Sequence, residues 1–156
     1  MKSNAPRSSP RIWVLLGPHR VDNNQVVALA TAVGLPFEIK QLNYNLLYRV
    51  KTRLLPPTLL TLTRQSRALV DGEPPDLIIA INRRAVPVIQ ALRGRSPHRT
   101  RAVHLGNPRV SPRHFDLVIT TPQYPVPDAA NVVCAFQLPS ALRRRGSIPA
   151  PRARAC

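Results

Sequence analysis

Residues 11–33 read RIWVLLGPHRVDNNQVVALATAV, and the fold is decided there. Ile12 to Leu16 is an unbroken apolar run with β-type residues, which suits a strand covered on both faces. Gly17-Pro18 ends it. His19 to Gln25 is polar and reads as a loop, and Val26 to Val33 then carries apolar residues at helical spacing (Val26, Leu29, Ala30, Val33) before Gly34. Asp22 and Gln25 stand at capping-box spacing ahead of that helix. A buried strand, a polar loop and a helix in this order make the first βα turn of an open α/β sheet. In that architecture ligands bind at the carboxyl ends of the strands.

The pattern repeats along the chain. Phe37 to Lys40 is a short second strand, Leu77 to Ile81 a third, Arg101 to Leu105 a fourth, Leu117 to Thr121 a fifth and Asn131 to Phe136 a sixth. Helices are expected over residues 58–70 and from Asn82-Arg83-Arg84 through Leu92, with Pro87 in the first turn of the latter. The expected class is α/β: a single Rossmann-like, doubly wound, mostly parallel sheet of about six strands. Residues 11–139 form this domain, residues 1–10 a disordered basic leader, and residues 140–156 a disordered Arg/Pro/Ala tail.

Composition narrows the functional classes. The formal net charge is +16, and 20 of the 23 basic residues are arginine. This points to an anionic partner: nucleic acid, a phosphorylated sugar or an acidic lipid surface. Five of the arginines lie in the last fourteen residues, so part of the excess is peripheral to the fold. Two cysteines give no metal-site spacing, and no cofactor or metal is expected. No apolar run approaches the ~20 residues of a bilayer span. The expected location is the cytoplasm, at most peripheral to the inner face of the membrane.

The carboxyl edge of the expected sheet collects polar side chains from separate loops. The first strand leads to His19, Arg20, Asp22, Asn23, Asn24 and Gln25, and the third to Asn82, Arg83 and Arg84. The fourth contributes His104 and Asn107, the fifth Thr120, Thr121, Gln123 and Tyr124. Arginine forks suit phosphate, free helix N–H groups favour anions, and Asn, Gln and Thr match sugar hydroxyls. Singly, each has a structural reading: Asp22 and Asn23 as caps, Arg83-Arg84 as a solvated helix start, Thr120-Thr121 as a strand end. No dinucleotide fingerprint, P-loop or nucleophile elbow accompanies them. His19 with Asp22 is the base-and-orienter pair on offer, and no other catalytic candidate stands out.

These residues also carry a likeness. Residues 20–25 (RVDNNQ), 28–30 (ALA), 34–37 (GLPF), 75–80 (PDLIIA) with Arg83-Arg84 and Pro87-Val88, 103–106 (VHLG) and 115–124 (FDLVITTPQY) resemble the mitochondrial-fission family, which comprises plant elongated-mitochondria proteins and bacterial relatives. The resemblance spans roughly residues 11–139. It implies the amino-terminal half of a GT-B-like, two-Rossmann architecture, similar to glycosyltransferases that build lipid A disaccharide and peptidoglycan precursors. There the amino half holds the acceptor and the carboxy half the nucleotide sugar. Val21 and Asn82 stand where relatives tend to carry glycine. Arg143 to Cys156 resembles nothing in the family, where a second Rossmann domain is due; the expectation is a truncated or frame-shifted product or a lone amino-terminal half.

The resulting expectation is an acceptor-side half that binds a sugar- or phosphate-bearing small molecule, incomplete as a catalyst alone. A separately encoded second Rossmann domain is the matching protein partner. Leu46, Leu47 and Tyr48, interleaved with Arg49, Lys51 and Arg53, suit either core packing or an anionic bilayer surface. The alternative function is a non-catalytic basic nucleic-acid- or anion-binding module. Against nucleic acid stand the seven aromatic residues, too few for stacking platforms, and the absence of a reading motif.

Overall fold

A computed structural model describes residues 9–51, 54–96 and 99–135. The leader and tail expected at 1–10 and 140–156 lie outside those residues except for Ser9 and Pro10. Six strands form one open sheet: β1 (Ile12–Leu16), β2 (Glu38–Gln41), β3 (Leu77–Ala80), β4 (Arg101–Leu105), β5 (Leu117–Thr120) and β6 (Val132–Cys134). Their order is β2-β1-β3-β4-β5-β6, and every pairing is parallel. This is the expected α/β, Rossmann-like sheet.

The residues of β1 divide the core into two layers. Ile12, Val14 and Leu16 face Val26 and Ala30 of helix α1 (Arg20–Val33), together with Ile79 and Leu105. Trp13 and Leu15 face the other way, with Ile78, Ala80, Ala102 and Val118, against Val86, Val88, Ile89 and Leu92 of a later helix. That later helix covers Val86–Arg95, with Pro87 in its first turn as the sequence requires. Crossovers leave β1 and β3 on opposite faces because α1 runs back to an outer strand while the later helix runs forward to β4. Right-handed connections demand this when the direction of travel reverses.

Between β2 and β3 the expected helix over 58–70 is shorter than the apolar spacing implied. Helix α2 covers only Arg64–Leu69, with the Thr63 side chain accepting from the Ser66 amide; the Val86–Arg95 helix is therefore α3. The segment before α2 is an excursion closed by an antiparallel bridge, Tyr44 to Leu62. Asn45 holds it shut: its Nδ2 donates to the carbonyls of Leu60 (2.6 Å) and Leu62 (3.2 Å), and its Oδ1 accepts from Leu47 N (3.0 Å). Leu46–Arg49 is a 3-10 turn with none of its residues buried.

At the amino edge of the sheet two aspartates play matching parts. Asp76, just before β3, accepts from the Arg11 amide at 2.8 Å; Asp116, just before β5, accepts from the Ala102 amide at 2.8 Å. Each carboxylate satisfies the entering N–H of a neighbouring strand, and each is paired with arginine: Asp76 with Arg99, Asp116 with Arg93 and Arg101. The Pro-Asp and Phe-Asp steps in the family-like motifs are thus strand clamps on the edge remote from the site. Among the described residues no helix is long and apolar enough to cross a membrane.

Candidate functional site

β1, β3, β4 and β5 lie side by side and run in parallel, so the segments after Leu16, Ala80, Leu105 and Thr120 leave the same edge of the sheet. The first of these differs from expectation. His19 to Gln25 is not a loop: α1 begins at Arg20, so Arg20, Asp22, Asn23, Asn24 and Gln25 are its first turns. His19 is the N-cap residue, yet its side chain makes no capping bond, and Asp22 lies inside the first turn rather than ahead of the helix. The capping-box reading of Asp22 and Gln25 therefore falls.

Asn23 supplies the reason. Its Oδ1 accepts from Gly17 N at 3.0 Å and its Nδ2 donates to Gly17 O at 2.8 Å, so one amide clamps the turn in both directions. Gln41 Nε2 donates to the same carbonyl at 2.9 Å, tying the end of β2 to it. With the turn held by Asn23, the helix starts immediately after Gly17-Pro18-His19. Early helix N–H groups with no side-chain cap remain available at an exposed edge.

Asn82 closes the turn after β3. Its Oδ1 accepts from Arg84 N at 2.9 Å and initiates a 3-10 turn, Arg83–Ala85, that runs into α3. A Cβ on Gly17 would lie 2.7 Å from Asn82 Nδ2, so the two turns approach as closely as a glycine allows. Arg83 is exposed. The Arg84 guanidinium stacks 4.1 Å over the Tyr48 ring, which braces it against the excursion. Burial pushes the Tyr44 phenol up, and the nearby Arg84 charge opposes that rise.

His104 and Thr120 lie deeper than their place in the sequence suggested; both are fully buried. His104 Nδ1 sits 3.3 Å from Gly106 O, its ring tilts against Phe115 at 5.1 Å, and its Nε2 has no hydrogen-bond partner. Burial pushes the imidazole down to about 4, with the carbonyls of Gly106 and Asn82 pulling weakly the other way. Thr120 Oγ1 donates to Tyr124 O at 2.5 Å and shapes the turn after β5. Thr121 Oγ1 is buried and unpartnered. Asn107 ties the segment after β4 to the one after β5, donating to Pro125 O (2.7 Å), and orders its own loop by accepting from Arg109 N (2.8 Å).

The expected site residues thus divide by use. Asn23, Asn82, Asn107 and Thr120 spend their polar atoms on the turns that frame the edge. His19, Arg20, Asn24, Arg83, Gln123 and Tyr124 are exposed there, with Asp22, Gln25 and Arg84 half-buried. Sequence reasoning gave no place to Arg109, whose left-handed backbone (φ 61°) follows Asn107 at this edge; a bulky residue in that region carries no local signature. Of the membrane-contact candidates, Leu46, Leu47, Arg49 and Lys51 are exposed, Tyr48 is half-buried, and Arg53 lies outside the described residues. No group of three or more metal-ligating side chains occurs among the described residues.

A family model described as Mitochondrial fission ELM1 matches residues 22–143. No curated protein and no solved structure matches the chain.

Proposed function

From the premise that this chain belongs to the mitochondrial fission ELM1 family, we propose that its sheet is the acceptor-side Rossmann-like unit of a GT-B-like protein. Its ligand is a small molecule bearing a phosphate or sugar, held at the carboxyl edge of β1 and β3. One observation carries the reading. β1 and β3 are neighbours whose crossovers depart on opposite faces, and outside the carboxyl ends of such a strand pair is where open α/β sheets bind ligands. The two walls there are the uncapped start of α1, with His19 and Arg20, and the turn carrying Arg83 and Arg84.

The chemistry of those walls suits an anion. The α1 N–H groups and their dipole favour negative charge, although Asp22 in the first turn offsets part of that field. Arg83 can reach solvent-side phosphate oxygens, while Arg84 is preorganised by Tyr48 and loses less freedom on binding. Tyr124 and Gln123, after β5, offer hydroxyl and amide groups to sugar oxygens. We assign these residues to binding and orienting, and bond-making chemistry to none of them.

Titration calorimetry with glucosamine 1-phosphate tests the reading. Arg83→Gln is expected to weaken binding roughly tenfold, the loss of one charge-assisted contact. Arg113→Gln, an exposed charge preceding β5 at the opposite edge, is expected to change it less than about twofold. Equal losses from both would mean a diffuse charge effect and would refute a localised site.

A further inference from the structure

The excursion between β2 and α2 holds apolar side chains out in solvent. Leu46 is 77% exposed, Leu54 69% and Leu60 58%, with Leu47 and Val50 close behind. The two ends of this excursion are pinned together by the Asn45 clamp, the Tyr44–Leu62 bridge and the Asn45 N to Thr61 O hydrogen bond (2.9 Å). Leucines at this exposure forfeit the stabilisation that burial would give, and clustered ones mark a surface that meets something apolar.

Charge says what that something is. No Asp or Glu occurs between Glu38 and Asp71, while Arg49 and Lys51 stand exposed among the leucines and Arg64 is exposed on α2. A purely cationic rim around an apolar tip complements a surface that is anionic outside and hydrocarbon just beneath. Leu46–Arg49 is a single 3-10 turn, not a groove or a regular helix face. A bilayer interface asks for no matching shape, whereas a folded partner would.

We propose that Leu46, Leu47, Val50, Leu54 and Leu60 dock this protein on an anionic lipid surface, their side chains inserted at the acyl boundary and Arg49 and Lys51 among the headgroups. Arg84 rests on Tyr48, beside Leu47, so docking sets the crevice wall next to the headgroup layer. The proposal does not depend on the crevice reading, and either can fail alone.

Co-sedimentation of the full chain with vesicles tests it, comparing phosphatidylcholine alone with phosphatidylcholine–phosphatidylglycerol mixtures. Binding is expected on the anionic vesicles only. A Leu46→Ser/Leu54→Ser variant is expected to lose roughly tenfold or more of that affinity, since two inserted side chains are removed. It is also expected to keep its circular dichroism and its glucosamine 1-phosphate binding. A Leu35→Ser/Ile39→Ser control, exposed near the β2 edge, is expected to leave vesicle binding unchanged. Three results would overturn the proposal: equal binding by the leucine variant, which would assign adsorption to overall charge; no vesicle binding at all; or a leucine-dependent dimer that ignores vesicles.

Discussion

Replacing Asp116 with alanine is expected to lower the unfolding free energy by about 3 kcal/mol, measured by urea denaturation at neutral pH. The carboxylate does three things at once. It accepts from the Ala102 amide at 2.8 Å, pairs with Arg93 at 3.1 Å and pairs with Arg101 at 3.0 Å. Ala102 is fully buried, so its N–H would be left without a partner where water does not reach. Arg101 is largely exposed and adds little, whereas Arg93 is about three-quarters covered and contributes more. Asp116→Asn keeps an acceptor for the amide and is expected to cost about 1 kcal/mol. An alanine variant within 0.5 kcal/mol of wild type, as for an ordinary surface change, would mean that the clamp is ornamental.

A second large effect concerns acid. His104 is held neutral by burial, down to about 4 from an ordinary 6.5. Between those two values the unfolded chain binds a proton that the native state refuses, so stability falls as pH drops through the window from 6.5 to 4. The full loss is about 3 kcal/mol, reached near pH 4 and absent at pH 7. Carboxylates also titrate at the lower end, so the informative quantity is the difference between wild type and His104→Leu. That difference is expected to shift by about 3 kcal/mol in favour of the leucine variant on going from pH 7 to pH 4. A pH-independent difference would show that the imidazole is as easily protonated in the fold as in the unfolded chain.

Most of the sheet could be read from the sequence because its signals were local. Strands as apolar as Ile12–Leu16 and Leu77–Ala80 are what two covered faces require, while Gly17 and Gly106 follow the ends of β1 and β4 and Gly34 caps α1. Pro87 fixed the start of α3 within a turn because proline is tolerated only there. The start of α1 departs from the sequence expectation for a physical reason. Its first turns are polar because they face solvent, and Asn23, which looks like a cap, instead holds the strand end at Gly17. In the excursion after β2 the apolar spacing of residues 58–63 does not become helix, since Asn45, a β-bridge and a Ser66–Asn43 contact organise the chain there instead.

The candidate site was legible as an edge but not as a set of free side chains. Which residues follow the strand ends depends only on strand direction and neighbourhood, and parallel α/β order supplies both. Which polar atoms are already engaged depends on distances no sequence spacing encodes. Asn82 and Thr120 look like ligand contacts in one dimension, yet they frame the turns in three. His104 follows the same logic: strand alternation turns it inward beside Phe115.

Where an anion settles on this molecule decides most directly between a localised site and diffuse charge. Two-dimensional amide NMR of the 15N-labelled chain, titrated with glucosamine 1-phosphate, reads that location residue by residue. Saturating shifts are expected at Gly17, His19 and Arg20 together with Asn82, Arg83 and Arg84, the two facing walls at the carboxyl edge. Shifts confined to the Asp76 and Asp116 edge, or spread evenly over every arginine, would contradict a crevice between β1 and β3.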